Sequence, residues 1–386
     1  MTNKPNKKNW YSNIDKFSKT AVFFGFKEKP DFVAKPENVK LAEKIIKKTK
    51  IIKKEDGPRL TKDLIEILDS YFKETSYQKP ATYLSYFFEQ TSGHSKNKKM
   101  FLEILGDSKS FSIVIIIKTA LEILREVPEY KKLKLLINSV GDKDSFNRFS
   151  KEFNLYYKKN LNKIAVSCKN NWKNNPFAVL DCSHDQCKKI SENAPKPFGF
   201  LSENSRRYFK EVLENLEEVG IDYEMNDRLA SGKPFASHVI FVIKNQKGEI
   251  VAEGGRYGLL AKKMGHRKEV GAIGATLEIP QKEIKPNKNI ELPKIFFVQI
   301  GHLAKIKGLQ IIESLKKINI PTMQSLIKDK ISTQLSMAEK NKIPFALIIG
   351  QQECLENTVI LRDMRTREQH TISVNKLAVE IKKYIK

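Results

Sequence analysis

Between Pro280 and Pro293 the chain is rich in Lys, Pro and Asn and poor in apolar residues, and the hydrophobic rhythm differs on its two sides. Beyond this stretch, strand patterns at 295–300, 321–326, 345–349, 358–362 and 368–373 alternate with helical patterns at 303–318, 331–341 and 374–385. Such alternation builds one compact α/β unit. A chain punctuated in this way folds as at least two units, with 280–293 as linker and 294–386 as the C-terminal domain.

The larger part before the linker mixes both periodicities. Residues 37–56 place Val39, Ala42, Ile45 and Ile46 on one helical face, and Gly57-Pro58 is expected to stop that helix. Leu64, Ile65, Leu68 and Phe72 mark a second helix over 61–74. Strands are expected at 82–88, 100–105 and 133–137, with Lys96-Asn-Lys-Lys as a basic loop. Residues 110–126 are apolar nearly all round, which predicts a buried helix. Residues 143–165 read as a helix with Phe146, Phe149, Phe153 and Tyr157 on one face, a stripe that suits core packing. Together with the irregular, Pro-punctuated stretch after it, this makes an inserted helical region at 143–200. Ser202 can cap a long helix running to Val219, and Gly220 can end it in a left-handed turn. Strands at 237–244 and 249–252, joined by Asn245-Gln-Lys-Gly, read as a hairpin.

Composition narrows the partners. The 386 residues carry 70 Lys and Arg against 45 Asp and Glu, a formal charge of +25, which favours a polyanion such as nucleic acid. Lysine placed on every solvated face accounts for the same excess without any partner. Four cysteines in this length exclude a disulfide framework and suit a reducing compartment. Residues 1–18 are basic with no apolar h-region and read as a disordered tail. The longest apolar run, Ile113-Val-Ile-Ile-Ile, is too short to cross a bilayer. A soluble cytoplasmic protein is expected, with the core domain at 19–279.

No phosphate loop, dinucleotide fingerprint, His-Glu-x-x-His or Gly-x-Ser-x-Gly occurs. Cys182-Ser-His-Asp-Gln-Cys187 lacks the Cys-x-x-Cys spacing and a second pair, so no metal site is expected there. The six histidines form no sequence cluster. Gly254-Gly255-Arg256-Tyr257 is a candidate ligand pocket: the glycines let the backbone approach a ligand and the Arg suits an anion or carboxylate. A tight strand-to-helix connection with a surface Arg explains the same four residues.

These segments do not stand alone. Leu136-Ile-Asn-Ser-Val-Gly-Asp, Asn175-Pro-Phe-Ala-Val-Leu-Asp, Arg228-Leu-Ala-Ser-Gly-Lys-Pro-Phe and Glu253-Gly-Gly-Arg-Tyr follow one another in an order that resembles the histidine–tRNA ligases, which are class II aminoacyl-tRNA synthetases. Leu347-Ile-Ile-Gly, Thr358-Val-Ile-Leu-Arg-Asp-Met-Arg-Thr-Arg-Glu-Gln and Gln334-Leu-Ser-Met-Ala-Glu-Lys resemble that family's anticodon-binding domain. The resemblance covers 133–386 well and 20–110 faintly. It implies an α+β fold: a class II antiparallel sheet flanked by helices, an inserted helical region, and a C-terminal α/β domain. It also implies a homodimer that uses ATP and Mg to activate histidine and then charges tRNA.

At the positions that carry the chemistry the chain departs from the family. The phosphate-gripping Arg of the family's Phe-Arg-x-Glu-Arg strand is matched by Glu89, the Arg of Arg-Leu-Val-Arg by Ser231, and the Arg of Gly-Leu-Glu-Arg by Gln281. Adenylation gathers negative charge at the α-phosphate, and one lost preorganised donor costs roughly 3–4 kcal/mol of transition-state stabilisation. Lys96, Lys98, Lys99 and Lys233 are the available replacements, but lysine lacks the bidentate fork. The C-terminal unit keeps Lys328, Lys330, Gln334, Arg362, Arg365 and Arg367 as candidate RNA contacts. Three readings follow: a catalytically impaired paralogue that binds tRNA or another RNA; an active, diverged ligase; or a regulatory subunit resembling the synthetase-like partner of ATP phosphoribosyltransferase.

Overall fold

The structure is a computed structural model that describes residues 11–29, 35–49, 57–75, 82–89, 96–174, 176–182, 184–230, 235–286, 288–290, 292–325 and 328–385. The first elements are β1 (Tyr11–Ile14), α1 (Lys16–Phe23), β2 (Lys27–Glu28), α2 (Pro36–Thr49), α3 (Gly57–Glu74), β3 (Tyr83–Phe88), β4 (Asn97–Leu105) and α4 (Ser110–Leu124). Next come β5 (Lys134–Gly141), α5 (Lys143–Lys159), α6 (Val166–Asn174), α7 (Asp185–Glu192), α8 (Glu203–Val219), β6 (Tyr223–Met225), β7 (Ser237–Lys244), β8 (Ile250–Arg256), α9 (Leu259–Lys263) and β9 (Ala272–Pro280). The remainder is β10 (Lys288–Ile290), β11 (Ile295–Gln299), α10 (His302–Lys317), β12 (Thr322–Gln324), α11 (Ile331–Lys340), β13 (Phe345–Ile349), α12 (Gln351–Glu356), β14 (Thr358–Asp363), β15 (Gln369–Ser373) and α13 (Leu377–Tyr384).

Eight strands form the central sheet in the order β2-β3-β4-β9-β8-β7-β5-β6. Its inner ladders are all antiparallel, and only the edge pairs β2·β3 and β5·β6 run parallel. Alternating side chains give the sheet two distinct faces. On the rear, Met100, Leu102, Ile104, Ile137, Val239, Phe241, Ile273, Ala275 and Leu277 pack under α4 and α8. On the front, Phe87, Phe101, Leu105, Ala272 and Tyr257 meet α2, α3 and α9. The class expected from the sequence is observed: a mostly antiparallel sheet flanked by helices, an inserted helical region, and a C-terminal α/β domain.

That domain is a five-stranded sheet, β12-β11-β13-β14-β15, in which the first three strands are parallel and the last two antiparallel. The inserted region has its own aromatic core, built from Phe149, Phe153, Tyr157 and Phe177. The long helix starts at Ser202, whose hydroxyl accepts from Ser205 N, and ends at Gly220 with φ 74°.

Several local expectations are corrected. Asn97–Lys99 are not a loop, because β9 runs to Pro280 and supplies them with ladder partners. Gly57-Pro58 opens α3 instead of ending a helix, which suits a proline at a helix start, where its missing N–H has no partner to lose. Within the stretch read as a disordered tail, 11–14 form β1 and 16–18 begin α1; residues 1–10 lie outside the described residues. The linker is partly structured, since β10 pairs antiparallel with β1.

Candidate functional site

The Gly-Gly-Arg-Tyr segment ends β8 and leads into α9, and its four residues serve the two faces differently. Gly254 points to the rear, where a Cβ would stand 2.5 Å from Phe241 Cζ and 2.6 Å from Gly274 O. Gly255 lets β7 approach, since a Cβ there would meet Val239 O at 2.5 Å. The glycines thus serve close strand packing. Arg256 is also on the rear face and is 8% exposed. Its Nη1 donates to Ser108 O (3.2 Å), Nη2 lies 3.6 Å from Glu269 Oε1, and the guanidinium sits 5.2 Å from the Tyr208 ring centre. The expectation of a surface Arg is therefore corrected: Arg256 is buried on the rear face.

Beside Arg256, β7 contains a bulge at His238, which adopts the left-handed φ of 55°. His238 Nδ1, Ser237 Oγ and Arg256 Nε are buried and make no hydrogen bond. Burial, then the Arg256 charge, pull the His238 pKa down to about 4, with Asp142 opposing, so the ring is neutral at pH 7.

The front face holds a pair that the motifs do not announce. Glu103, 1% exposed, accepts a 2.5 Å hydrogen bond from the Tyr257 hydroxyl, and its carboxyl fits because its ladder partner is Gly274. A Cβ on Gly274 would lie 2.3 Å from Glu103 Oε2. Burial pushes the pKa of Glu103 well above the ordinary carboxyl range, against the Tyr257 hydrogen bond and the Lys29 charge. Burial, then the Glu103 charge, raises Tyr257 as well. One signal for the pair lies in the sequence: a single Glu in the otherwise apolar run Met100-Phe-Leu-Glu-Ile-Leu needs a buried polar partner. Tyr257 at 4% and Phe235 at 1% exposure leave this pair sealed from solvent by the protein's own side chains.

Two of the three altered positions flank the start of β4, one on each side. Glu89 follows β3, and its N–H donates to Lys99 O (2.8 Å). Gln281 follows β9, is exposed, and its N–H donates to Lys96 O (2.9 Å). Ser231 and Lys233 lie outside the described residues. Strand alternation puts Lys99 and Glu278 on the front face, paired in register with Nζ 3.9 Å from Glu278 Oε1. Lys99 thus lies between Glu89 and Glu278 in the ladder. Lys98 faces the rear, 5.2 Å from the Phe88 ring centre.

The six C-terminal candidates do not form one patch. Lys328 and Lys330 are exposed beyond the carboxyl end of β12. Arg362, Arg365 and Arg367 sit at the opposite end of the sheet, where Asp363 pairs with Phe345 at the start of β13. Arg365 and Arg367 are exposed in the turn after β14, braced by Asp363 Oδ1 accepting from Arg365 N (2.7 Å) and Thr366 N (2.9 Å). Gln334 is fully buried, with Oε1 accepting from Gln299 N (3.1 Å) and Nε2 donating to Gln299 O (2.8 Å). It is a core bracket and not a surface contact.

Residues 305–384 match the model of a family described as "Anticodon binding domain". The chain is 31% identical to the histidine–tRNA ligase of Staphylococcus haemolyticus over 260 residues, covering 64% of this chain and 61% of that protein. It is 27% identical to the enzyme of Staphylococcus saprophyticus over 265 residues, covering 66% and 63%. The match thus spans about three fifths of these relatives' length. The solved apo histidyl-tRNA synthetase of S. aureus overlays with a TM-score of 0.49 at 20% identity, covering 95% of this chain and 93% of that one. Its C-terminal domain thus matches an anticodon-binding family, and the chain is similar to histidine–tRNA ligases over 64–66% of its own length.

Proposed function

We propose that this chain binds tRNA or another RNA through its C-terminal domain and does not activate histidine. The observation that carries the reading is the charge balance on the front face. Where the family's resemblance calls for a phosphate-gripping Arg, Lys99 lies in the ladder between Glu89 and Glu278, so that among the described residues at this point one cation stands beside two carboxylates. A polyphosphate entering there meets net negative charge at the point where its own charge must be neutralised. The sealed Glu103–Tyr257 pair supports the same reading, since a small polar ligand would have to displace Phe235 or Tyr257.

RNA binding rests on the matched anticodon-binding domain and on its exposed cations. The two ends of its sheet are separate candidates, Arg365 and Arg367 at one and Lys328 and Lys330 at the other. In this reading the protein works in the cytoplasm as a homodimer. No helix among the described residues is long and apolar enough to cross a membrane.

The test is histidine-dependent ATP–pyrophosphate exchange with the full chain, alongside a tRNA gel shift over a salt series. The proposal expects exchange at background and a shift that weakens steeply with salt. Exchange well above background establishes an active ligase instead, and no shift at low salt removes the RNA-binding half. Replacing Arg365 and Arg367 by Ala should lower the salt slope by about one for each phosphate that the arginines neutralise. If the Lys328 and Lys330 pair does this instead, the contact lies at the other end of the sheet.

A further inference from the structure

Three thiols and one imidazole, separated along the chain, come together in the inserted region. Cys168 lies in α6, Cys182 follows the short turn 176–181, His184 stands at the N-cap of α7, and Cys187 is in the first turn of that helix. Cys168 Sγ is 3.1 Å from Cys182 Sγ and 3.8 Å from His184 Nδ1, and Cys182 Sγ is 3.0 Å from His184 Nδ1. The ligand atoms of Cys168, Cys182 and His184 all lie within 4.8 Å of one another, and Cys187, buried one turn into α7, stands outside that set. Three of the chain's four cysteines are gathered here; the fourth, Cys354, is buried in α12 of the C-terminal domain.

We propose that Cys168, Cys182 and His184 hold a zinc ion, and that the Cys187 side chain turns in as the fourth ligand when the ion binds, tying α6 to α7. The spacing of the Cys182–Cys187 stretch argues against a metal for want of a fourth ligand, and the fold corrects that expectation by supplying Cys168, fourteen positions upstream of Cys182. Zinc takes four N and S ligands at about 2.0–2.3 Å, which sets ligand-to-ligand edges of about 3.5–3.8 Å in a tetrahedron. The 3.8 Å separation matches such an edge, while the 3.0 and 3.1 Å separations are shorter by about half an ångström or more and would open as the ion enters. Apolar packing alone does not produce this set: carbon atoms pack at about 3.5–4.0 Å, and sulfur is larger. The imidazole is informative too. At an N-cap a side chain normally accepts a backbone N–H, but His184 makes no capping bond and instead turns Nδ1 onto Cys182.

The rest of the surroundings fit. Cys168 and Cys187 are buried, while Cys182 is half-buried and His184 exposed, which gives an ion a path from solvent. Ser167 Oγ lies 4.0 Å from Cys168 Sγ. Arg228 fixes the segment that carries Cys182, donating from Nη2 to Leu180 O (2.6 Å) and to Cys182 O (3.4 Å). Through Arg228 the site is connected to the segment that leads to Phe235 and the front face. Three thiolates with a neutral imidazole select zinc over harder divalent ions. Loading balances as one zinc ion taken up and three thiol protons released to solvent. The role is structural, because all four positions are filled by the protein.

The inference is independent of the RNA-binding reading and is tested without any activity assay. The full chain, purified under reducing conditions from zinc-supplemented medium, should carry one zinc per chain by plasma mass spectrometry. Exchange into cobalt(II) should give the d–d bands of a tetrahedral ion and a thiolate-to-metal charge-transfer band. Cys187→Ser and Cys168→Ser should weaken zinc binding by more than the roughly 10–100-fold that loss of an outer-shell partner costs, and Cys354→Ser should retain the full complement. If the Cys variants fail to fold, the wild-type cobalt spectrum still decides the matter. Wild-type protein without zinc and without the thiolate–cobalt band overturns the site, as does a mass lighter by two hydrogens with Cys168 disulfide-bonded to Cys182.

Discussion

His238, half-buried, and Glu103, buried, are ionisable groups on opposite faces of one sheet, and they tilt stability in opposite directions with pH. The His238 pKa falls from 6.5 to about 4, so between these values the unfolded chain binds a proton that the folded chain refuses. Stability from this group is present above pH 6.5 and is lost as pH falls toward 4, by ~3 kcal/mol at most. Its ring faces Arg256, Asp142 and Tyr208. His238→Asn, which tolerates the left-handed backbone, should flatten the acid limb of a urea-denaturation series. Glu103 has the opposite sign. With its folded pKa raised above 4.5, the folded state keeps a proton that the unfolded state releases, so stability declines as pH rises through 4.5 toward the folded value. Glu103→Gln keeps an acceptor for Tyr257 and should remove that decline, and the gain over wild type should grow with pH. Neither shift is legible in the sequence. His238 sits in an unremarkable strand pattern, and its neutrality comes from burial and from Arg256, which the β7·β8 ladder brings beside it.

Among the helices, α4 and α8 are readable because their signals are local: an all-apolar run in one, a Ser cap and a Gly stop in the other. How the helix ends lock together has no such local signal. Asp142 caps α5 by accepting from Ser145 N (2.8 Å) and also accepts from the Ser202 hydroxyl (2.6 Å), so one carboxylate joins the starts of α5 and α8. Hydrogen bonds from Ser202 and Ser145, outweighing burial, hold its pKa down to about 2. Asp142→Ala should cost about 1–2 kcal/mol by chemical denaturation. The same change should loosen the inserted region first, seen as faster amide exchange in α5 than in α10. Gln334 illustrates the converse: its helical position is plain from the pattern, but its role as a bracket on Gln299 depends on β11 lying beneath α11.

The core and the C-terminal domain share one apolar cluster, and ion pairs between α4 and α10 add to it. Lys118 of α4 contacts Glu122 (2.9 Å) and Glu313 of α10 (3.0 Å), and Lys316 reaches Glu126 (2.6 Å). Hydrogen bonds and charges from Lys317 and Lys118, outweighing burial, hold Glu313 down to about 2. Gln324 adds a hydrogen bond to Phe23 O in α1 (2.7 Å). Lys118 and Glu122 each have side chains only 8% exposed, so Lys118→Ala removes one of the two cations on Glu122, leaving Arg125, and should cost about 1–2 kcal/mol. Calorimetry should then show the C-terminal domain melting apart from the core. Lys118→Met combined with Glu122→Leu removes both charges and should recover most of the loss. An unchanged melting profile in Lys118→Ala excludes these pairs as the docking contacts.

Most helices and strands, the change of architecture near residue 280, and the likeness to histidine–tRNA ligases are written in the amino-acid order alone, because capping residues, hydrophobic periods and short motifs act within a few positions of the chain. Tertiary structure alone decided which face each motif residue serves. Arg256 went to the rear and Tyr257 to the front because successive strand residues alternate. The C-terminal cations separated because β13 and β14 run antiparallel. Cys168 reached Cys182 because an aromatic core packs α6 against the turn 176–181. Each outcome depends on a partner distant in sequence, and no local pattern encodes that partner.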